Sequence, residues 1–118
     1  MAAGADGARF TPFADVAPIA MMSADLDSAR AWVAETLGPL ADASERNAGL
    51  REPARVFLRN GGSYSATADE LFLHRNSVQY RVRQAEELRG RPFNDGRLDV
   101  ELALLACHWL GPAIMRPD

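Results

Sequence analysis

Between positions 74 and 83 the chain concentrates side chains that hydrogen-bond in fixed geometries: His74, Arg75, Asn76, Ser77, Gln79, Tyr80, Arg81 and Arg83. Amides, hydroxyls, a phenol and guanidinium groups at this density suit the reading of base edges or the holding of phosphate oxygens. No Asp or Glu occurs from 73 to 85, which makes this the most basic uninterrupted stretch and the expected docking point for an anionic partner. Other chemistries find less support. His74 lies three residues before Ser77, but no acid is placed to orient its imidazole, so a nucleophile and base do not assemble. Cys107 and His108 are neighbours on one expected helix, about 100° apart, and do not converge on a metal as i and i+4 ligands would. With no paired carboxylates and no phosphate-cradling loop, no catalytic, metal or cofactor site is expected.

Side chains of this kind read a surface only if a rigid element presents them. At 100° per residue, Val78, Val82 and Ala85 centre a buried stripe, and Asn76, Tyr80, Arg83 and Glu87 fall nearly opposite. Gln79 and Ser77 flank that outer face. A helix from Arg75 to Leu88 follows, with Gly90 as its C-cap. Before it, Ser63 to Phe72 reads as a short helix capped by Ser63 or Ser65, with Ala66, Ala68 and Leu71 inward and Asp69 and Glu70 on the other side. Ala68 is small enough to let the two backbones cross closely. Leu73 in the turn, with Leu71, Val78 and Val82, completes the apolar wedge that fixes their angle.

The flanks are helical too. Leu26, Ala29, Val33 and Leu37 recur at helical spacing from Asp25 to Leu37, ended by Gly38-Pro39. Leu50, Ala54, Phe57 and Leu58 mark another helix, in which Pro53 is expected in the first turn, where its missing N–H is harmless. A last helix from Arg97 to Leu110 carries Leu98, Leu102, Leu105 and Trp109 on one face and Val100 and Leu104 on the opposite side. The Val100/Leu104 stripe is expected to be core, with pairing to another subunit as the alternative. No segment alternates with period two, so the expected fold is all-α: a compact helical domain containing a helix-turn-helix.

Composition agrees. The 118 residues carry 13 Arg and no Lys against 16 acids, a net charge of −3, with 47% hydrophobic residues. One domain of this size builds a core without staples, and a lone Cys107 supplies none. No apolar stretch reaches a membrane span, and residues 1 to 9 lack a signal-peptide pattern and are expected to be disordered. A cytoplasmic protein without membrane contact is expected. The net charge opposes indiscriminate coating of nucleic acid, but it is unevenly spread: residues 1 to 45 sum to −5 and residues 46 to 118 to +2. The expected organisation is an N-terminal segment over 1–22 that is flexible or partly ordered, a helical lead-in over 23–45, a DNA-binding unit over 46–112 and a tail over 113–118.

The stretch GGSYSATADELFLHRNSVQYRVRQAEELRGRPF, Gly61 to Phe93, resembles the C-terminal helix-turn-helix domain of PucR/CdaR-type bacterial transcription regulators, above all in ELFLHRNSVQYRV. LGPLA at Leu37 to Ala41, LREPARVFLRNGG at Leu50 to Gly62 and LDVELALLACHWL in the last helix resemble the same family, so the likeness runs over about residues 35 to 110. It implies a Fis-like helix-turn-helix, transcriptional control through double-stranded DNA, and a sensory region upstream of the domain. General helix-turn-helix patterns favour Gly where this chain has Phe72, although the PucR-like pattern commonly accepts an aromatic residue there, and the family often has a basic residue at Gln79 and Thr at Ser77. Dimeric binding, with two reading helices about 34 Å apart, is the expected mode. The rival is a helical oligomerisation or protein-interaction module without DNA. Acids folded over residues 75 to 83 would favour it, and a bare positive ridge would oppose it.

Overall fold

Asp25, Ser44, Ser63 and His74 each accept a backbone N–H from the first turn of the helix that follows, at 3.0–3.1 Å, so the boundaries are set by local chemistry. The computed structural model describes residues 13–115. Six α-helices appear among them: α1 (Phe13–Ser23), α2 (Leu26–Leu37), α3 (Glu45–Arg59), α4 (Tyr64–Leu71), α5 (Arg75–Arg89) and α6 (Arg97–Leu110). Short 3-10 turns at Gly38–Ala41 and Gly111–Ala113 follow α2 and α6. The fold is all-α, as the periodicities imply.

Helix α3 runs through the middle and packs on α4, α5 and α6, while α2 lies against α6 and α1 covers both. Val33, Leu37, Leu40, Ala54, Val78, Ala85, Val100 and Ile114 are wholly withdrawn from water in one cluster. Burial of this kind contributes about 25 cal/mol per Å² of apolar surface and is the main force holding the helices in place. Buried polar groups join the ends of elements. Arg51 donates from Nη1 to the carbonyls of Leu40 at 2.9 Å and Asp42 at 2.8 Å, and Asn47 Nδ2 donates to Pro39 O at 2.8 Å. The 3-10 turn after α2 is thereby clamped to the start of α3.

Four local expectations need correction or addition. Helix α1 occupies a segment where no periodicity was found; the expected disorder of residues 1 to 9 lies outside the described residues. Pro53 is not in a first turn: α3 starts earlier, at Glu45, and Pro53 is in its interior and buried. Its missing N–H leaves the Gly49 carbonyl without a helical partner, which is tolerable because Gly49 is exposed to water. On α4 the inward residues are Thr67 and Ala68, and Ala66 is exposed. The buried Thr67 hydroxyl donates to Ser63 O at 2.7 Å, so a polar residue fills a core position with its hydrogen bond made.

On α6 the core face is the one through Val100, Ala103, Leu104 and Cys107, whereas Leu98 is 69% and Trp109 42% exposed. Both stripes have helical spacing. The one that meets α2 and α3 became core, and the other is only partly covered by α1, where Trp109 Nε1 donates to Asp15 Oδ2 at 3.4 Å.

Candidate nucleic-acid interface

After α3 the chain reverses through Gly61 and Gly62, both at positive φ, with the Gly62 N–H donating to Phe57 O at 2.9 Å. Phe57 and Tyr64 stack with ring centroids 4.7 Å apart and fix where α4 departs. Arg59 is ion-paired with Glu70, and Asn60 Nδ2 donates to Glu70 Oε1 at 3.3 Å, so the outer side of α4 is tied back to α3. Glu70 is therefore engaged by Arg59 and not by Arg81. Ala68 is buried in the cluster that holds Val78 and Val82. Leu71 and Leu73 are half-buried, and Leu73 packs against that cluster.

The turn is short. Phe72 adopts a left-handed conformation (φ 56°, ψ 43°), and its N–H and that of Leu73 both return to Ala68 O. His74 is extended and caps α5, its Nδ1 accepting from the Asn76 N–H at 3.1 Å. That bond places the hydrogen of a neutral ring on Nε2, so an exposed donor faces outward while Nδ1 holds the helix end. Capping and phosphate contact are thus compatible in this one side chain.

Helix α5 buries Val78, Val82 and Ala85 and turns the other side to solvent. Arg75, Asn76, Tyr80 and Arg83 are exposed, and Ser77, Gln79 and Arg81 are half-buried. None of these seven side chains makes a hydrogen bond or ion pair among the described residues. Elsewhere most of the described arginines are engaged. Arg30, Arg55, Arg59, Arg91 and Arg97 pair with carboxylates, and Arg51 and Arg89 are buried against backbone carbonyls. Besides those on α5, Arg46 alone among the described arginines lacks such a partner, and it sits on α3 in a groove shared with Tyr80, Arg81 and Gln84. Unpaired cations therefore gather on α5 and beside it. Glu86 and Glu87 bound this surface at the C-terminal half of α5, so an anion meets the N-terminal half first. Sequence reading missed Arg46 because the expected helix began near Leu50, which left Arg46 in no element.

Other polar clusters are less suited to a ligand. His108 Nδ1 lies 3.2 Å from Glu52 Oε2, and Cys107 is buried one residue away. Burial pushes the Cys107 thiol up to about 11, with nearby Arg51 opposing the shift. No group of three or more His, Cys, Asp or Glu residues is arranged to hold a metal ion among the described residues. No helix there is long and apolar enough to cross a membrane.

Comparison with known proteins places this geometry. Residues 50–106 match the PucR C-terminal helix-turn-helix domain. The transcriptional activator PmfR of Paenarthrobacter nicotinovorans is 32% identical over 88 residues, 75% of this chain and 18% of that protein. The purine catabolism regulatory protein of Bacillus subtilis is 35% identical over 69 residues, 58% of this chain and 13% of its own length. A Thermomonospora curvata protein, described as encoded in the pkwA 5′ region, is 39% identical over 71 residues, 60% of this chain and 39% of its own. The chain thus spans about two-fifths of one curated relative and less than a fifth of the other two. No solved structure matches the chain.

Proposed function

We propose, from the match of residues 50–106 to the PucR C-terminal helix-turn-helix domain, that the chain is the DNA-reading part of a transcriptional regulator, with α5 in the major groove of a duplex. The observation that carries the reading is the unpaired state of Arg75, Arg81 and Arg83 in a chain whose acids outnumber its arginines. Carboxylates pair with Arg30, Arg55, Arg59, Arg91 and Arg97, whereas none pairs with the arginines on the outer face of α5. Leaving cations unpaired gives the isolated fold nothing, whereas phosphate neutralisation with counterion release gives a complex much of its affinity.

In this reading Arg75, at the positive end of the α5 dipole, holds a phosphate. His74 Nε2, Ser77 and Tyr80 donate to the backbone beside it, and Arg81 takes the flank nearest α3. Arg83, Gln79 and Asn76 face base edges, where a bidentate pair discriminates by about 1–3 kcal/mol. Ala68, Leu71, Leu73, Val78 and Val82 hold the angle between α4 and α5. Residues 46–112 act as the DNA-binding unit, buttressed by the lead-in over 23–45, and the chain performs no chemistry of its own. Two copies bind together, their α5 helices about 34 Å apart, and sensing belongs to a region outside the matched segment, consistent with the greater length of the relatives.

Selection of bound sites from random duplex DNA tests the reading, followed by titration of the selected site at several salt concentrations. A recovered consensus and an affinity that falls steeply with salt are expected. Absence of retention on any duplex at low ionic strength would overturn it in favour of a helical protein-interaction module.

A further inference from the structure

Phe72 is the one non-glycine residue at positive φ among the described residues, and it is 94% exposed. Both properties work against the isolated fold. A left-handed backbone crowds any Cβ, which is why such turns favour glycine. A phenyl ring in water also forgoes the burial that usually justifies an aromatic side chain. Neither hydrogen bonding nor ring stacking ties the side chain to the rest of the described residues. We propose that Phe72 is an apolar DNA-contact residue, which the turn aims at the sugar–phosphate wall or a thymine methyl at the edge of the groove that α5 enters. The inference rests on the DNA-binding reading and adds to it a contact that carries no charge.

Position and surroundings select DNA over a protein partner. Phe72 lies two residues before the cap of α5, and so at the corner where the supporting helix crosses the DNA backbone and the reading helix enters the groove. Its exposed neighbours are polar: Asp69, Glu70, His74 and Arg75. A stable protein interface needs roughly 800 Å² per partner around an apolar centre. Of the other large exposed side chains, Val16, Met21, Leu98 and Trp109 belong to α1 and α6, and the one on the helix-turn-helix, Tyr80, is eight positions further along and carries a polar phenol, so no broad apolar centre surrounds Phe72. A lone ring beside an unpaired guanidinium matches a deoxyribose or methyl flanked by phosphate.

Phe72→Gly separates the roles. Glycine accepts φ 56° freely, so the variant keeps its helical circular-dichroism spectrum and its thermal midpoint to within about 5 °C. The expected result on the selected duplex is affinity weakened roughly ten-fold, with the salt dependence of binding unchanged because no cation was removed. Phe72→Leu, which keeps an apolar side chain, recovers part of the loss. Equal binding of Phe72→Gly and the parent would overturn the inference alone, as would a lowered salt slope, which would show that Phe72 acts by positioning Arg75. Failure of the parent itself to bind duplex would overturn the DNA reading and this contact with it.

Discussion

The Arg89 guanidinium donates from Nε to the Thr36 carbonyl at 2.7 Å, joining the last turn of α5 to the last turn of α2 across 53 positions of sequence. Its other nitrogens donate to Pro92 O at 2.7 Å and Asp95 O at 2.8 Å, so one buried cation is held by three carbonyls with no carboxylate among them. Burial pulls its pKa below the usual arginine range, with neighbouring Arg91 adding to the effect and Asp95 opposing it. The C-terminal end of α5 is thus fixed to α2. Arg89→Ala removes three charge-assisted hydrogen bonds that join the end of α5 to α2 and to the following loop, and is expected to destabilise the fold by about 3 kcal/mol, measured by urea unfolding. Arg89→Lys keeps the charge but not the planar fork and should lie between the two.

Gly38 adds a second constraint at the same junction. It sits at φ +58°, and a Cβ there would stand 3.3 Å from the Arg89 carbonyl oxygen, which is backbone and cannot swing aside. Gly38→Ala combines a strained dihedral with a crowded contact. A loss of about 1–2 kcal/mol is expected in the same unfolding measurement, while Gly61→Ala, which meets nothing within 4 Å, should show the dihedral cost alone.

The thiol of Cys107 gives a pH signature. Its folded value of about 11 lies above the ordinary 9.0, so between those values the unfolded chain loses a proton that the folded chain keeps. Stability from this group is therefore complete below pH 9 and declines as pH rises toward 11. Urea unfolding of the parent should show that decline, and Cys107→Ala should remove this component of it. A native thiol that reacts with an aromatic disulfide reagent at pH 8 as fast as the unfolded one would contradict the burial on which the argument depends.

Much of the local structure of the candidate surface was legible because it depends on near neighbours. The caps Ser63 and Gly90, the stripe of Val78, Val82 and Ala85, and the absence of acids from 73 to 85 follow from neighbours within a few positions. What was hidden depends on distant parts of the chain. Val100 and Leu104 are inside, as expected, but the exposure of Leu98 and Trp109 on the equally spaced second stripe is decided by the placement of α2 and α3. Helix α1 contains Pro18 and a run of small residues, so periodicity is faint, and its contacts come from α6 and α2. Arg89 gave no sequence signal at all, since its partners are backbone carbonyls that any residue could supply. The exposure of Phe72 was equally unreadable, although its place at a turn where glycine is usual was visible.

Gly49 offers a gain of stability. It lies in the interior of α3, exposed, and a Cβ there meets nothing within 4 Å. Alanine is favoured over glycine in a helix interior by about 1 kcal/mol, mainly because the unfolded chain has less freedom to lose. Gly49→Ala should raise stability by about 0.5–1 kcal/mol in urea unfolding. A loss instead would mean that α3 needs the freedom of glycine at the carbonyl that Pro53 leaves unpartnered.

Arg75 and Arg83 occupy different places on α5, and duplex binding should separate them. Arg75 starts the helix beside the His74 cap, at the positive end of the helix dipole, which favours a phosphate, so its contact is expected to be blind to sequence. Arg75→Ala should weaken binding to selected and unrelated duplexes alike and lower the slope of log K against log salt by about one. Arg83 is two turns further along, on the face shared with Asn76 and Tyr80, and is expected to reach base edges. Arg83→Ala should cost about 1–3 kcal/mol on the selected site but much less on unrelated duplex, so preference relaxes more than affinity falls. The opposite pattern, with Arg83 uniform and Arg75 selective, would mean that α5 enters the groove in a different register, with its first turn on the bases.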